Sequence, residues 1–306
     1  MTDTILISIL MTVATASTPI LLAALGELVA EKSGVLNLGV EGMMLIGAVA
    51  GFAAAVTTGT AALGLVAAMA AGTCAALLFA AIVLGLAANQ VATGLALTIF
   101  GVGFSALAGE SFVGRTVEPL APLFPDALAG EGWTRLLFGH DPLVYASLAL
   151  TAAVAWFLSR TRAGLILRAV GEADRSAHSI GYPVLWVRAA AVAFGGAMAG
   201  LAGSYYSLLL TPMWSEELTA GRGWIALALV VFAAWRPGRL LLGAWLFGGV
   251  ATLELHTKAA GITLFAPEFL AAMPYLATIA VLALISLGRG LGARAPACLG
   301  KSFKPA

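Results

Sequence analysis

A chain of 306 residues that is 61% hydrophobic and only 10% charged, with a formal net charge of +1, has too few charges to coat a water-soluble globule. Its mean hydropathy is +1.00, and its apolar runs repeatedly approach the roughly 20 residues that cross a bilayer, which points to an all-α polytopic membrane protein with membrane lipids as its solvent. The basic residues are dispersed between those runs and form no stripe, so no nucleic-acid partner is expected.

The apolar runs predict spans at about 5–25, 35–56, 61–84, 91–108, 142–159, 183–209, 223–235, 239–256 and 272–288. That makes about nine transmembrane helices, or eight to ten if the second run is broken. The first is read as a span, not a cleavable signal, because Met1-Thr2-Asp3 lacks a positive n-region and the apolar run continues past Ala14-Thr15-Ala16 to Leu25. Residues 34–56 are dense in glycine and carry Asn37 and Glu41; a broken or re-entrant segment there must be buried in protein or line a cavity. Gly47 with Gly51, and Gly196 with Gly200, are small-xxx-small pairs, the second extended by Gly203 and Ser204, and they predict close helix packing.

Residues 109–141 contain Glu110, Glu118, Pro119, Pro122, Pro125, Asp126 and Glu131, too polar for the membrane and too short for a domain. They are either a linker or a surface that receives an external partner. Trp214 and Trp224 are expected at headgroup level as interfacial anchors.

Residues 160–182 form a mostly basic island, with Arg160, Arg162, Arg168 and Arg175 against Glu172 and Asp174. Such a loop is held on the cytoplasmic side. Placing it there puts eleven of the sixteen Lys and Arg on that side, including those of the basic tail 289–306, and leaves Arg115, Arg135, Arg222 and Lys258 opposite. Leu165, Ile166, Ala169 and Val170 recur at helical spacing, predicting a short amphipathic helix that either receives another protein or merely sets topology. Arg188, just inside a span, is expected to snorkel.

Ala295–Ser302 and Gly26–Ser33 are near misses to a phosphate-binding loop: the first lacks a following helix, and the second has Glu31 where glycine belongs. No nucleotide site is expected on this chain. His140, His178 and His256 are not at metal-ligand spacing, neither Cys74 nor Cys298 joins them, and no Gly-x-Ser-x-Gly occurs, so no catalytic group is identified. Polar residues in or beside spans remain: Asn37, Glu41, Asn89, Gln90, Thr93, Thr98 and Glu254. If the segment is helical, Glu41 shares a face with Asn37 four residues earlier. The pair would then hydrogen-bond an uncharged polar solute, or Glu41 would brace a backbone break. Asn89-Gln90 either lines the pathway or simply begins a span.

The stretch Gly26-Glu27 through Glu31-Lys32-Ser33-Gly34-Val35-Leu36-Asn37-Leu38-Gly39-Val40-Glu41-Gly42-Met43-Met44 resembles the signature of ABC importer permeases for simple sugars and nucleosides, which group with ribose and branched-chain amino acid permeases. Asn89–Leu97 is similar to the start of that family's fourth span, Arg168–Glu172 to its cytoplasmic coupling helix, and Gly221–Ala228 to a later span. These stretches fall in the family's order from about 26 to 250. After Glu172 the chain departs from the family's Asn-Pro-like turn, with Ala173-Asp174-Arg175-Ser176-Ala177-His178 in its place.

The resemblance implies a single permease domain over 1–306, not an enzyme, lying multi-pass in a bacterial inner (cell) membrane with its coupling loop and C-terminus cytoplasmic. It implies a second related permease subunit, an extracytoplasmic solute-binding protein, and an ABC ATPase subunit that holds ATP and magnesium while this chain binds no cofactor. The ATPase would dock through Arg168, Ala169, Val170, Gly171, Glu172 and Arg175. The solute would be a nucleoside, nucleobase or simple sugar passing Asn37, Glu41, Asn89, Gln90 and Thr93. An ion-coupled secondary transporter is the alternative, and needs intramembrane carboxylate relays for which Glu41 and Glu254 are thin material.

Overall fold

The computed structural model describes residues 2–130, 132–259 and 295–304, with Phe269, Ala272, Leu276 and Ile279 as further helical positions. α1 (Thr2–Lys32) contains Pro19, which cannot donate a backbone hydrogen bond. Around it Thr15, Ser17 and Thr18 donate their hydroxyls to the carbonyls of Met11, Val13 and Ala14, keeping polar groups satisfied within the helix. α2 (Val40–Thr58) ends at Gly59, and α3 (Ala61–Ala80) continues as a π turn through Gly85. α4 (Gln90–Gly109) leads through two short helices, α5 (Asp126–Ala129) and α6 (Trp133–Phe138), to α7 (Pro142–Arg160). α8 (Arg162–Glu172) and α9 (Asp174–Ser179) precede α10 (Val184–Tyr205), which itself ends in a π turn. α11 (Arg222–Phe232) and α12 (Pro237–Ala259) follow.

Six helical stretches among the described residues are long and apolar enough to cross a membrane: Leu6–Lys32, Val40–Thr58, Ala61–Gly85, Gln90–Phe112, Pro142–Arg160 and Val184–Leu210. The protein is thus an all-α, multi-pass membrane protein, but the expected nine spans are corrected to six in the described part. α11, where a span was expected at 223–235, has 11 residues. That length reaches about 16 Å, half the hydrocarbon thickness. The run at 239–256 falls in α12, which is not among the six. The expected span 272–288 lies, apart from three helical positions, outside the described residues.

α10 packs against α1, α2 and α3 at the centre of the bundle. The two glycine pairs singled out in the sequence meet at Gly47 and Gly200: a β-carbon on Gly47 would overlap the Gly200 backbone, and one on Gly51 would come 2.9 Å from the Ser204 β-carbon. Gly72 of α3 meets Gly196 and Gly200 from the other side. Hydrocarbon gives helices no hydrophobic reason to associate, so this close backbone approach supplies the dispersion that does.

Candidate functional site

Residues 33–39, between α1 and α2, are not helical, and all but Leu36 and Leu38 are buried. Each exposed backbone group therefore needs a protein partner. Gly34, at φ +94°, turns the chain out of α1. The Leu36 N–H donates to Gln90 Oε1 (2.8 Å), the Asn37 N–H to Glu27 Oε1 (3.1 Å), and the Gly39 N–H to Asn37 Oδ1 (2.9 Å). Thr98 Oγ1 donates to the Leu38 carbonyl (3.0 Å). The broken segment anticipated from the sequence is present, but Asn37 and Glu41 do not share a helical face: Asn37 folds its side chain over its own turn, and the helix begins at Val40.

Glu41 is 6% exposed and points at the start of α11. Its carboxylate accepts from Thr219 Oγ1 (2.6 Å), the Gly221 N–H (2.8 Å) and the Gly223 N–H (2.6 Å). A carboxylate at a helix N-terminus satisfies unpaired N–H groups and meets the positive end of the helix dipole. Of the other expected pathway residues, Asn89 caps α4 by accepting from the Ala92 N–H (3.0 Å), and Thr93 Oγ1 donates to the Asn89 carbonyl (2.8 Å). Gln90 is buried and bridges residue 36 to the Lys301 carbonyl (3.3 Å). Glu41 thus stands apart from the cluster formed by Asn37, Gln90 and Thr98 around segment 33–39.

α8 is the amphipathic helix read from the sequence. Thr161 caps it, accepting from the Gly164 N–H (3.0 Å). Gly164, Leu167, Val170 and Gly171 face inward, while Arg162, Leu165, Ala169 and Glu172 are exposed. Gly171 has no β-carbon to keep it off the Lys32 carbonyl, and α8 therefore lies directly on the end of α1. Lys32, Leu165, Arg168, Ala169 and Glu172 line an open cleft of about 330 Å³ at this junction. Arg175 is exposed on α9.

Several residues important to this end were missed or misread. Arg188 does not snorkel. Its side chain is fully buried and pairs with Asp174 (3.0 Å), while Nε donates to the Ser33 carbonyl (3.1 Å) and Nη1 to the Lys301 carbonyl (3.4 Å). Glu27 and Glu31, beyond the first expected span at 5–25, lie in α1 and are buried; Glu31 accepts from Trp235 Nε1, tying α1 to the α11–α12 turn. An arginine inside an apolar run, and two glutamates four residues apart at the end of one, were the available signals, since charge at membrane depth normally has a partner.

At the opposite end of the bundle Trp214 is no interfacial anchor: it is 2% exposed and sits against Gly109. Residues 113–117 pair with 212–214, the Val117 N–H donating to the Pro212 carbonyl (3.2 Å). Asp141 caps α7 and accepts from the Tyr205 hydroxyl (2.7 Å). Beside it, burial pushes the His140 imidazole below its ordinary pKa, against the opposing pull of Asp141.

These elements define a multi-pass membrane protein with an amphipathic helix laid across one end of its bundle. Residues 9–285 match the family described as branched-chain amino acid transport system / permease component, and the chain belongs to that family. Over 293 residues it is 39% identical to a putative glucose ABC transporter permease of Haloferax volcanii, covering 87% of this chain and 88% of the relative. It is 30% identical over 278 residues to a guanosine ABC transporter permease of Bacillus subtilis, covering 86% and 87% of the two chains. A nucleoside ABC transporter permease of Lactococcus lactis is 28% identical over 298 residues, covering 91% and 92%. The chain is therefore a permease component of an ABC transport system, a transport component and not an enzyme.

Proposed function

We propose that this chain is the permease subunit of an ATP-driven importer for a nucleoside, nucleobase or simple sugar. The solute class rests on the sugar and nucleoside permeases to which the chain is similar. The docking role rests on one observation, the exposed face of α8 with its cleft at Lys32, Leu165, Arg168, Ala169 and Glu172. An ATPase carrying ATP and magnesium inserts a side chain there, and Arg175 borders the same surface from α9. The α8 end and the tail face the cytoplasm of a bacterial cell, and an extracytoplasmic binding protein delivers solute to the end formed by 113–117 and 212–214.

A second, related permease packs against the exposed apolar face of α4, where Leu95, Ile99 and Phe104 point outward. Asn37, Asn89, Gln90 and Thr93 shape the pathway by holding the α2 and α4 backbones in place, and Glu41 does so by fixing the start of α11. Nucleotide biases the assembly between two openings.

The test is co-purification of the tagged chain with its ATPase, and uptake of labelled guanosine and labelled glucose into vesicles. Replacing Arg168 and Glu172 with alanine is expected to release the ATPase and abolish uptake. Retained ATPase would overturn the docking site, and uptake that survives ATP depletion but collapses with an uncoupler would favour ion coupling.

A further inference from the structure

Residues 295–304 lie across the α8 end of the bundle and join elements distant in sequence. The Cys298 N–H donates to the Gly171 carbonyl (2.9 Å) and the Gly300 N–H to the Gly34 carbonyl (3.2 Å), linking α8 to the turn that leaves α1. The Ala297 N–H reaches Glu172 Oε2 (3.4 Å). The Lys301 carbonyl accepts from both Gln90 Nε2 (3.3 Å) and Arg188 Nη1 (3.4 Å), so one oxygen ties the start of α4 to α10. Phe303, 7% exposed, closes the segment by packing with Val170, Ala177 and Val184, its ring 5.9 Å from the Arg188 guanidinium and 5.4 Å from the His178 ring.

These contacts share a geometry. α8 and α9 touch the rest of the bundle at Gly164 on the Phe157 carbonyl of α7, at Gly171 on Lys32 and at Asp174 on Arg188. Those contacts hold α8 and α9 to α7, α1 and α10, and none of them reaches the start of α4. The segment 297–303 adds attachments to Gly34 and, through Gln90, to the start of α4. In each hydrogen bond named above the segment contributes a backbone group, and such bonds are directional and resist displacement more sharply than apolar contact does.

We propose that residues 297–303 are a coupling strap: a positioning segment that makes α8, α9, segment 33–36 and the start of α4 move as one body. A push on α8 then reaches the α2–α4 side of the bundle directly through the strap. The proposal rests on the reading of α8 as the ATPase dock, and concerns how much solute is moved for each ATP hydrolysed.

The experiment uses the complete transporter in proteoliposomes with its binding protein, comparing wild type, Phe303→Ala, Phe303→Leu and a chain truncated after Ala295. Uptake of labelled guanosine or glucose, whichever the wild type accumulates, is divided by phosphate released, and hydrogen exchange is followed in 31–39 and 162–178. Phe303→Ala and the truncation are expected to keep the ATPase bound and hydrolysing, lower solute moved per ATP by about tenfold, and raise exchange in both segments. Phe303→Leu, which keeps the apolar contact, restores the ratio. An unchanged ratio in Phe303→Ala overturns the strap, and so does loss of the ATPase from that variant alone, which would make the tail part of the dock. A wild-type chain that holds no ATPase overturns the docking reading instead, a failure visible before any variant is made.

Discussion

At mid-bundle α2, α3 and α10 meet through Gly47, Gly72, Gly196 and Gly200, with backbone against backbone. At the α8 end neighbouring elements are joined by Arg188, Asp174, Gln90, Glu27 and the carbonyls of Ser33 and Lys301. The glycine seam depends on what is missing: any side chain collides, and no rearrangement short of separating helices relieves it. The polar junction depends on what is present, and its bonds can be exchanged one at a time. A transporter needs both, a body that stays whole and a joint that transmits movement, and the two respond to substitution in opposite ways.

Arg188→Ala should have the largest effect, about 3–5 kcal/mol, because it leaves Asp174 without its charge partner and the Ser33 carbonyl without its donor. Thermal unfolding in detergent measures it. Arg188→Leu combined with Asp174→Leu should recover much of the loss; if the pair is no more stable than Arg188→Ala, the ion pair is not what the junction depends on. Gly200→Val should cost about 1–3 kcal/mol, since the added carbons run into the Ala68 backbone. No change to a charged residue should rescue it, and a rescue would erase the distinction between seam and junction.

Glu41→Gln keeps the shape of the side chain but faces an amide group toward N–H donors. A loss of about 1 kcal/mol is expected, read as faster hydrogen exchange confined to 219–224. The smallest effect belongs to His140. Its folded pKa lies below that of the unfolded chain, so its neutral form is the one the fold favours; stability is fully present above pH about 6.5 and declines as pH falls below that. Unfolding midpoints between pH 5 and 8 should show this decline, and His140→Asn should flatten it.

Much of the seam could be read from the chain because it follows a local rule. Small residues four apart lie on one helical face whatever that face meets, and the Gly47 and Gly196 pairs needed only to find each other. The amphipathic helix was legible for the same reason, as Leu165, Ile166, Ala169 and Val170 recur at helical spacing, but the face turned inward is that of Leu167 and Val170, with Leu165 and Ala169 exposed. Arg188 was misread because a lone arginine near a span end looks the same whether it reaches for water or for an aspartate 14 residues earlier in the chain. Trp214 was misread in the same way, since an interfacial tryptophan and one sealed beneath residues 109–117 have identical local surroundings. Glu41 could be read either as a solute ligand or as a brace, because the three donors its carboxylate accepts from lie about 180 residues away.

Local periodicity and composition were enough to determine that this protein lives in a bilayer, that its helices pack closely, and that an amphipathic helix lies beside a basic loop. The signature around residues 26–44 was enough to place it among permeases. Only the tertiary structure decided which polar residues serve one another: Glu41 with α11, Gln90 with the tail, Arg188 with Asp174. The reason is that a helix's hydrophobic period is written in neighbouring residues, whereas the partner of a buried charge is chosen by whichever distant segment the fold brings within 3 Å.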